Sequence, residues 1–308
     1  MVDLIELSFL GTGGTYPRRG RNTVCIVAKI RDLIIMLDCG EGCQKRFIPK
    51  FGANSRMIIL LSHLHGDHVL GLPGLIFSFN LLERTKPITI VGPLGIQRFI
   101  TGFLKALNVK LKYPLELLEI GTFEGLLKIY GDKSVRIYSW HSRHTSPTLG
   151  FLIYENKPRG RFNVEKAKKL GIPRGRLWKR LQNGLIVGYR NKLYYPEDVL
   201  DEIREGIKVA YSGDSLPSLD LINLVGRVDV LIHEASFTLD NYIKARESGH
   251  ATVFQVAELA ENMKVETLVL CHITPRYDGR IDDLYNEARQ IFGGKIIVPK
   301  DGDEIRIK

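Results

Sequence analysis

Four cysteines in 308 residues, Cys25, Cys39, Cys43 and Cys271, are too few and too scattered for a disulfide framework. Cys39 and Cys43 are spaced C-x3-C, but no second close pair completes a zinc knuckle, so buried free thiols are expected. No apolar run approaches the roughly 20 residues that a membrane-spanning helix needs. The opening residues MVDLIELSFLGTGG lack both the basic stretch and the small-residue cleavage site of a secretory leader. Repeats, low-complexity tracts and heptads are missing too. What remains is an ordinary globular composition, 44% hydrophobic and 25% charged, in a chain long enough to bury a substantial core. A cytoplasmic enzyme with no membrane contact and no organic cofactor is the expectation.

The first third alternates short apolar, β-branched runs with glycine turns: LIELSFLG, TVCIVAKI, LIIMLDCG and MIILLSHLH, all read as buried strands. Leu72–Leu82 reads as a helix despite its early proline, and IQRFITGFLKALN as an amphipathic helix after the strand ITIVGP. SVRIYSW and LGFLIYE continue the strands. Regular patterning returns in IKVAYSGD, DVLIHEA, the helix VFQVAELAENM, TLVLCH and a last helix before KIIVP. The fold class is α/β and rich in strands, with an insertion at about 155–205 made of two short basic helices, VEKAKKLG and RLWKRLQNG.

The net charge of +10 is concentrated in that insertion. Glu155 to Arg180 holds ten Lys/Arg against two Glu, leaving the body close to neutral. Such a segment suits a polyanion, although a solvated lysine-rich helix has the same composition.

The densest chemistry lies at Ser62-His63-Leu64-His65-Gly66-Asp67-His68, just past the strand MIILL, where a loop would hold it at a sheet edge. In extended backbone His63 and His65 face the same way and can clamp one ion. Gly66 lets the chain turn and aim Asp67 and His68 at a second. The remaining donors must come from elsewhere: His144 or His141 after VRIYSW, Asp214 in VAYSGDS, and His272 after TLVLC, each at a strand end. A carboxylate such as Asp214 can bridge two cations about 3.5–4 Å apart. A water shared by two such ions loses its proton near neutral pH, and the same charges stabilise phosphate oxygens. Nitrogen and oxygen donors suit Zn2+, with Mn2+ also compatible.

These residues in this order resemble the metallo-β-lactamase superfamily and, within it, the ribonuclease Z family of tRNA 3′-processing endonucleases. The resemblance rests on FLGTGGTYPRRGRNT (9–23), LDCGEGCQ (37–44), SHLHGDHVLGLPGL (62–75), SGDS (212–215), HEASF (233–237), ARESGH (245–250) and CHITPRY (271–277). It implies a metallo-β-lactamase αββα sandwich over 1–308, with a flexible basic arm inserted at about 155–205. It implies two Zn2+ per chain: His63, His65 and His144 on one, Asp67, His68 and His272 on the other, Asp214 bridging. His144 is preferred to His141 by its distance from Gly150-Phe151. The resemblance also makes Asp67 catalytic as well as ligating, and has His250, backed by Glu247, protonate the leaving 3′ oxygen. Read from the residues alone, His250 could equally cap the helix starting near Thr252, and His233 could be either a positioning residue or a hydrogen-bonded core histidine. Arg276, with Tyr277 beside it, stands where it could contact phosphate.

The arm of this family grips tRNA from the neighbouring subunit of a homodimer, so precursor tRNA and a second copy of the chain are the implied partners. Lys168, Lys169, Arg174, Arg176, Lys179 and Arg180 would contact phosphate there without reading sequence. The chain departs from the family pattern in carrying Pro173-Arg174-Gly175-Arg176-Leu177 for a Gly/Pro-rich stretch, and Asn163 where an acidic residue is common. The activity implied is removal of the 3′ trailer of precursor tRNA by cutting after the discriminator nucleotide. Two other readings stand beside it: a small-molecule phosphodiesterase or related hydrolase on the same fold, and a metal-bearing RNA-binding protein without turnover.

Overall fold

A computed structural model describes residues 5–156, 160–201 and 206–307. The strands run β1 (Ile5–Gly11), β2 (Cys25–Ile30), β3 (Leu33–Leu37), β4 (Arg56–Leu60), β5 (Ile88–Pro93) and β6 (Leu115–Ile120). Then come β7 (Leu127–Gly131), β8 (Val135–Ser142), β9 (Thr148–Glu155), β10 (Val187–Tyr189) and β11 (Lys192–Tyr194). The chain closes with β12 (Lys208–Tyr211), β13 (Val230–Glu234), β14 (Thr267–Cys271), β15 (Lys295–Ile297) and β16 (Glu304–Ile307).

Two compact units result, one formed by residues up to Tyr154 and from Ile207 onward, the other by Glu155–Gly206. The larger unit holds two seven-stranded sheets, ordered β16-β1-β2-β3-β4-β5-β6 and β15-β14-β13-β12-β9-β8-β7. Their inner faces share one apolar core, to which the first contributes Leu7, Phe9 and Ile35 and the second Phe151, Val209 and Ile232. The outer face of the first sheet is covered by helices Gln44–Phe51, Gly71–Leu81 and Ile96–Ala106, through Phe47, Phe79 and Ile100 among others. The helices Asp220–Val225, Val253–Asn262 and Ile281–Ile291 cover the second. This is the four-layer αββα arrangement, and it follows from strands with two apolar faces, which need a partner on both sides.

In each sheet one half of the strands runs parallel: β3 through β6 in one, β12 through β15 in the other. Parallel strands deliver the loops after their C-terminal ends to one edge, where ligands collect. His63 and His65 follow β4, Asp214 follows β12, Glu234 ends β13 and His272 follows β14.

Three strands of the larger unit do not show in the apolar patterning. β6, β7 and β16 lie at or near sheet edges and are half-exposed, so LELLEI and EIRI alternate apolar with charged residues instead of running apolar throughout. The histidine motif is a loop only as far as His65, because Gly66–Val69 forms one short helical turn.

The smaller unit has its own core of Ala167, Ile172, Leu181, Val187, Tyr194 and Val199, with Trp178 and Phe162 packed against it. Asn163 accepts from the Lys166 amide and so caps the helix Val164–Lys169, while its amide nitrogen donates to Asp201. Lys157 and Arg159, two of the ten cations counted there, lie outside the described residues. No described helix is long and apolar enough to cross a membrane, and all four cysteines are buried free thiols.

Candidate metal centre

The loop after β4 and the short helix behind it bring His63, His65, Asp67 and His68 together with three donors from distant chain. His63, His65 and His144 each place one ligand atom within 4.8 Å of the others, and so do Asp67, His68 and His272. Asp214 lies between the two groups, its Oδ2 3.9 Å from His63 Nε2, 3.3 Å from His68 Nε2 and 3.1 Å from His272 Nε2. His141 is not part of this: it is exposed, its Nε2 near the Phe123 amide and the Gly121 carbonyl.

The far nitrogen of four of the rings is tethered. Nδ1 of His63 meets the Ser62 hydroxyl at 3.0 Å, that of His68 meets Asp38 at 2.7 Å, that of His144 donates to the Gly249 carbonyl at 2.8 Å, and that of His272 meets Ser236 at 2.8 Å. This leaves Nε2 of each turned to the centre, the arrangement by which hydrogen bonds behind a histidine orient it toward a cation. Asp38 is the hub: fully buried, it also accepts from the Ser62 amide, the Ser62 hydroxyl and the Tyr211 phenol. The Thr15 amide fixes Asp67 at 2.7 Å. Gly14 is required beside it, because a Cβ there would sit 2.4 Å from the His272 ring.

Three buried atoms at the heart of this cluster, His63 Nε2, His68 Nε2 and Asp214 Oδ1, make no hydrogen bond. Buried polar atoms without partners are costly, so their convergence on one space is an argument for cations there. An all-nitrogen-and-oxygen donor set fits divalent zinc or manganese.

The electrostatics point the same way. Burial, reinforced by the neighbouring His68, holds His63 far below its usual range, so its nitrogen is a free donor. Burial would also make His68 neutral, but Asp214 and Asp38 together overcome it and drive the ring to hold a proton. A dication at Nε2 would take that proton's place, since a ligating imidazole is neutral. Asp214 stays ionised despite complete burial because His272 and His68 face it.

Beside the cluster, His250 Nδ1 lies 2.9 Å from Glu234 Oε1. Burial opposes protonation of His250, yet the Glu234 charge and hydrogen bond prevail and raise it to about 9. This corrects the expectation for Glu247, which is exposed on the helix Tyr242–Glu247 while Glu234 serves His250. The helix-cap alternative fails also: Thr252 caps Val253–Asn262 with its own side chain. His233 is buried and its Nδ1 meets the Glu234 carbonyl at 3.1 Å. Arg276 is exposed and lies over the Phe237 ring, which also faces the His250 ring. In the smaller unit Lys168, Lys169, Arg174, Arg176, Lys179 and Arg180 are all exposed, and Lys168 pairs with Glu165 at 3.0 Å.

Comparison with known proteins decides the family. A ribonuclease Z of Nitrosopumilus maritimus is 37% identical over 305 residues, covering 99% of this chain and all of that protein. The chain belongs to the ribonuclease Z family. Ribonuclease Z from Saccharolobus solfataricus is 36% identical over 306 residues, again covering 99% of this chain and 100% of its own. Residues 5–107 also match the family described as anti-Pycsar protein Apyc1. Among solved structures, the short form of human tRNase Z superposes with a TM-score of 0.70 at 22% identity, covering 97% of this chain and 98% of its own. The metallo-β-lactamase fold protein YhfI of Bacillus subtilis does so at 0.69 and 18%, covering 99% and 100%. The αββα sandwich of this ribonuclease Z family member is therefore the metallo-β-lactamase fold.

Proposed function

We propose that this chain removes the 3′ trailer of precursor tRNA, cutting after the discriminator nucleotide and leaving a 3′-hydroxyl, with two Zn2+ ions (or Mn2+) as its cofactor. The coarser reading, an endoribonuclease that hydrolyses phosphodiester bonds, comes with the ribonuclease Z family. What carries the finer one is the convergence of seven donors whose innermost buried atoms have no hydrogen-bonding partner. His63, His65 and His144 would hold one ion, Asp67, His68 and His272 the other, with Asp214 between them. When bound, the pair would supply an activated water and a positive field for the phosphate oxygens.

The chain's own groups do the rest. Asp38, Ser62 and Ser236 fix the rings, so little reorganisation is left for the reaction. His250, charged at neutral pH through Glu234, delivers a proton to the leaving 3′ oxygen. Arg276, exposed one residue from Tyr277, meets a phosphate. The cations of Glu155–Gly206 contact the tRNA backbone from the second subunit of a homodimer working in the cytoplasm.

Precursor tRNA is incubated with the purified protein, with chelator, and after adding back Zn2+ or Mn2+. Cleavage at the discriminator that chelator abolishes and metal restores is expected. Removal of 157–205 should abolish precursor cleavage while sparing a small chromogenic phosphodiester, and undiminished tRNA processing after that deletion rules out the arm's role.

A further inference from the structure

Outside the metal centre, a cavity of about 210 Å³ opens on the helix-covered face of the second sheet. Trp140, Leu221, Leu224 and Leu259 give it apolar walls. An apolar cavity of roughly 150 Å³ already accepts benzene, so this one has room for a single planar heterocycle.

Polar side chains line it as well, among them two buried ones that the mechanism does not use. His233 is 1% exposed, and its Nδ1 donates to the Glu234 carbonyl. Burial keeps the ring neutral. Its Nε2 is therefore an acceptor, and it has no hydrogen bond among the described residues. Ser215, 3% exposed, lines the same cavity with a hydroxyl that makes none either, its amide alone being used by Glu234. An acceptor and a hydroxyl in one cavity complement the Watson–Crick edge of a nucleobase, where a donor always stands next to an acceptor.

Arg143 also lines the cavity, and its side chain is 73% exposed. Its contact with Asp220 at 3.6 Å is between two solvated groups and so costs little to break. In sequence these residues adjoin the metal ligands: Arg143 precedes His144, and Ser215 follows Asp214.

We propose that this cavity takes one unpaired nucleobase of the RNA substrate, its edge on His233 and Ser215, its walls Trp140 and the leucines, with Arg143 serving the attached phosphate. The proposal rests on the reading of the chain as an RNA hydrolase and adds a base-recognition site to it. The base belongs to a nucleotide next to the cut, on either its 5′ or its 3′ side.

The test uses the metal-loaded enzyme and precursor tRNAs with a single abasic nucleotide on one side of the cut or the other. One of the two is expected to lower kcat/KM by roughly tenfold or more, the scale of one buried, stacked base. Which one does so names the side. That penalty should fall to less than about twofold in His233→Phe, which removes the acceptor, and in Leu224→Trp, which fills the space. Both variants should still hydrolyse bis(p-nitrophenyl) phosphate. Ser215→Ala, a change of one hydroxyl, should reduce the penalty partway and covers the case in which a larger substitution disturbs folding. The proposal is overturned if neither abasic substrate is impaired, or if the penalty persists unchanged in all three variants. Failure to cleave the intact precursor would instead defeat the reading of the chain as a tRNA 3′-processing enzyme, and this proposal with it.

Discussion

The metal centre and the basic insertion solve opposite problems in one chain. In the centre, most of the charge is buried and held by neighbours: Asp38 and His68 are fully buried, and Asp214 is 2% exposed. Among the described residues of Glu155–Gly206 the lysines and arginines are exposed and the packed core is only six buried residues. Buried donors are worth much because a low dielectric magnifies each interaction, and they must be positioned by neighbours to tolerate it. Exposed lysines and arginines gain from a polyanion mainly by releasing its counterions, which requires number more than placement. Substitutions should accordingly be sharp in one region and graded in the other.

The largest effect is expected at the shared carboxylate. Asp214→Ala leaves His63, His68 and His272 facing one another without their common anion, and should lower cleavage by roughly 10³-fold or more in single-turnover assays. Tight tRNA binding should survive within a few-fold, since the cations of the insertion are untouched. Loss of both together would erase the contrast between the regions.

Next is the pair of glutamates. Glu234→Gln removes the charge that keeps His250 protonated and should cost on the order of 10²-fold in kcat. Glu247→Gln should stay within about twofold, which separates the two directly. The reverse ranking would return His250 to Glu247.

Behind the ligands, Asp38→Asn should weaken metal affinity by roughly 10- to 100-fold, read by competition with a chromogenic chelator. An unchanged affinity would mean that the Asp38 hydrogen bonds do not tune His68.

The smallest steps belong to the insertion. Neutralising Lys169, Arg174, Arg176, Lys179 or Arg180 one at a time should each reduce the salt dependence of tRNA binding by about one unit of slope or less, leaving hydrolysis of a small phosphodiester alone. A single variant that abolishes binding would show specific recognition in place of summed charge.

Much of this was legible in the residues. Continuous apolar runs such as LIIML and MIILL mark strands buried on both faces, and the candidate ligands stand where such runs stop. Edge strands were harder, because β6 and β16 half-face solvent and dilute their apolar signal with Glu and Arg. The partner of His250 was misread for a physical reason. Glu247 is three residues away in sequence, but it projects from the exposed side of its helix, whereas Glu234 arrives from the end of β13. Asp38 and Glu234 both end apolar strands, the same signal that marked the ligands, and it could have been followed to them. The small core of the insertion was hidden in Ala167, Leu181 and Tyr194, apolar residues scattered among cations with no clean period.

The most direct test of the account is the number of divalent ions carried by each chain, measured by elemental analysis and by mass under native conditions. Two per chain are predicted, with fewer than two retained in Asp214→Ala. A protein that holds a single ion, or none, while cutting precursor tRNA at full rate would contradict it.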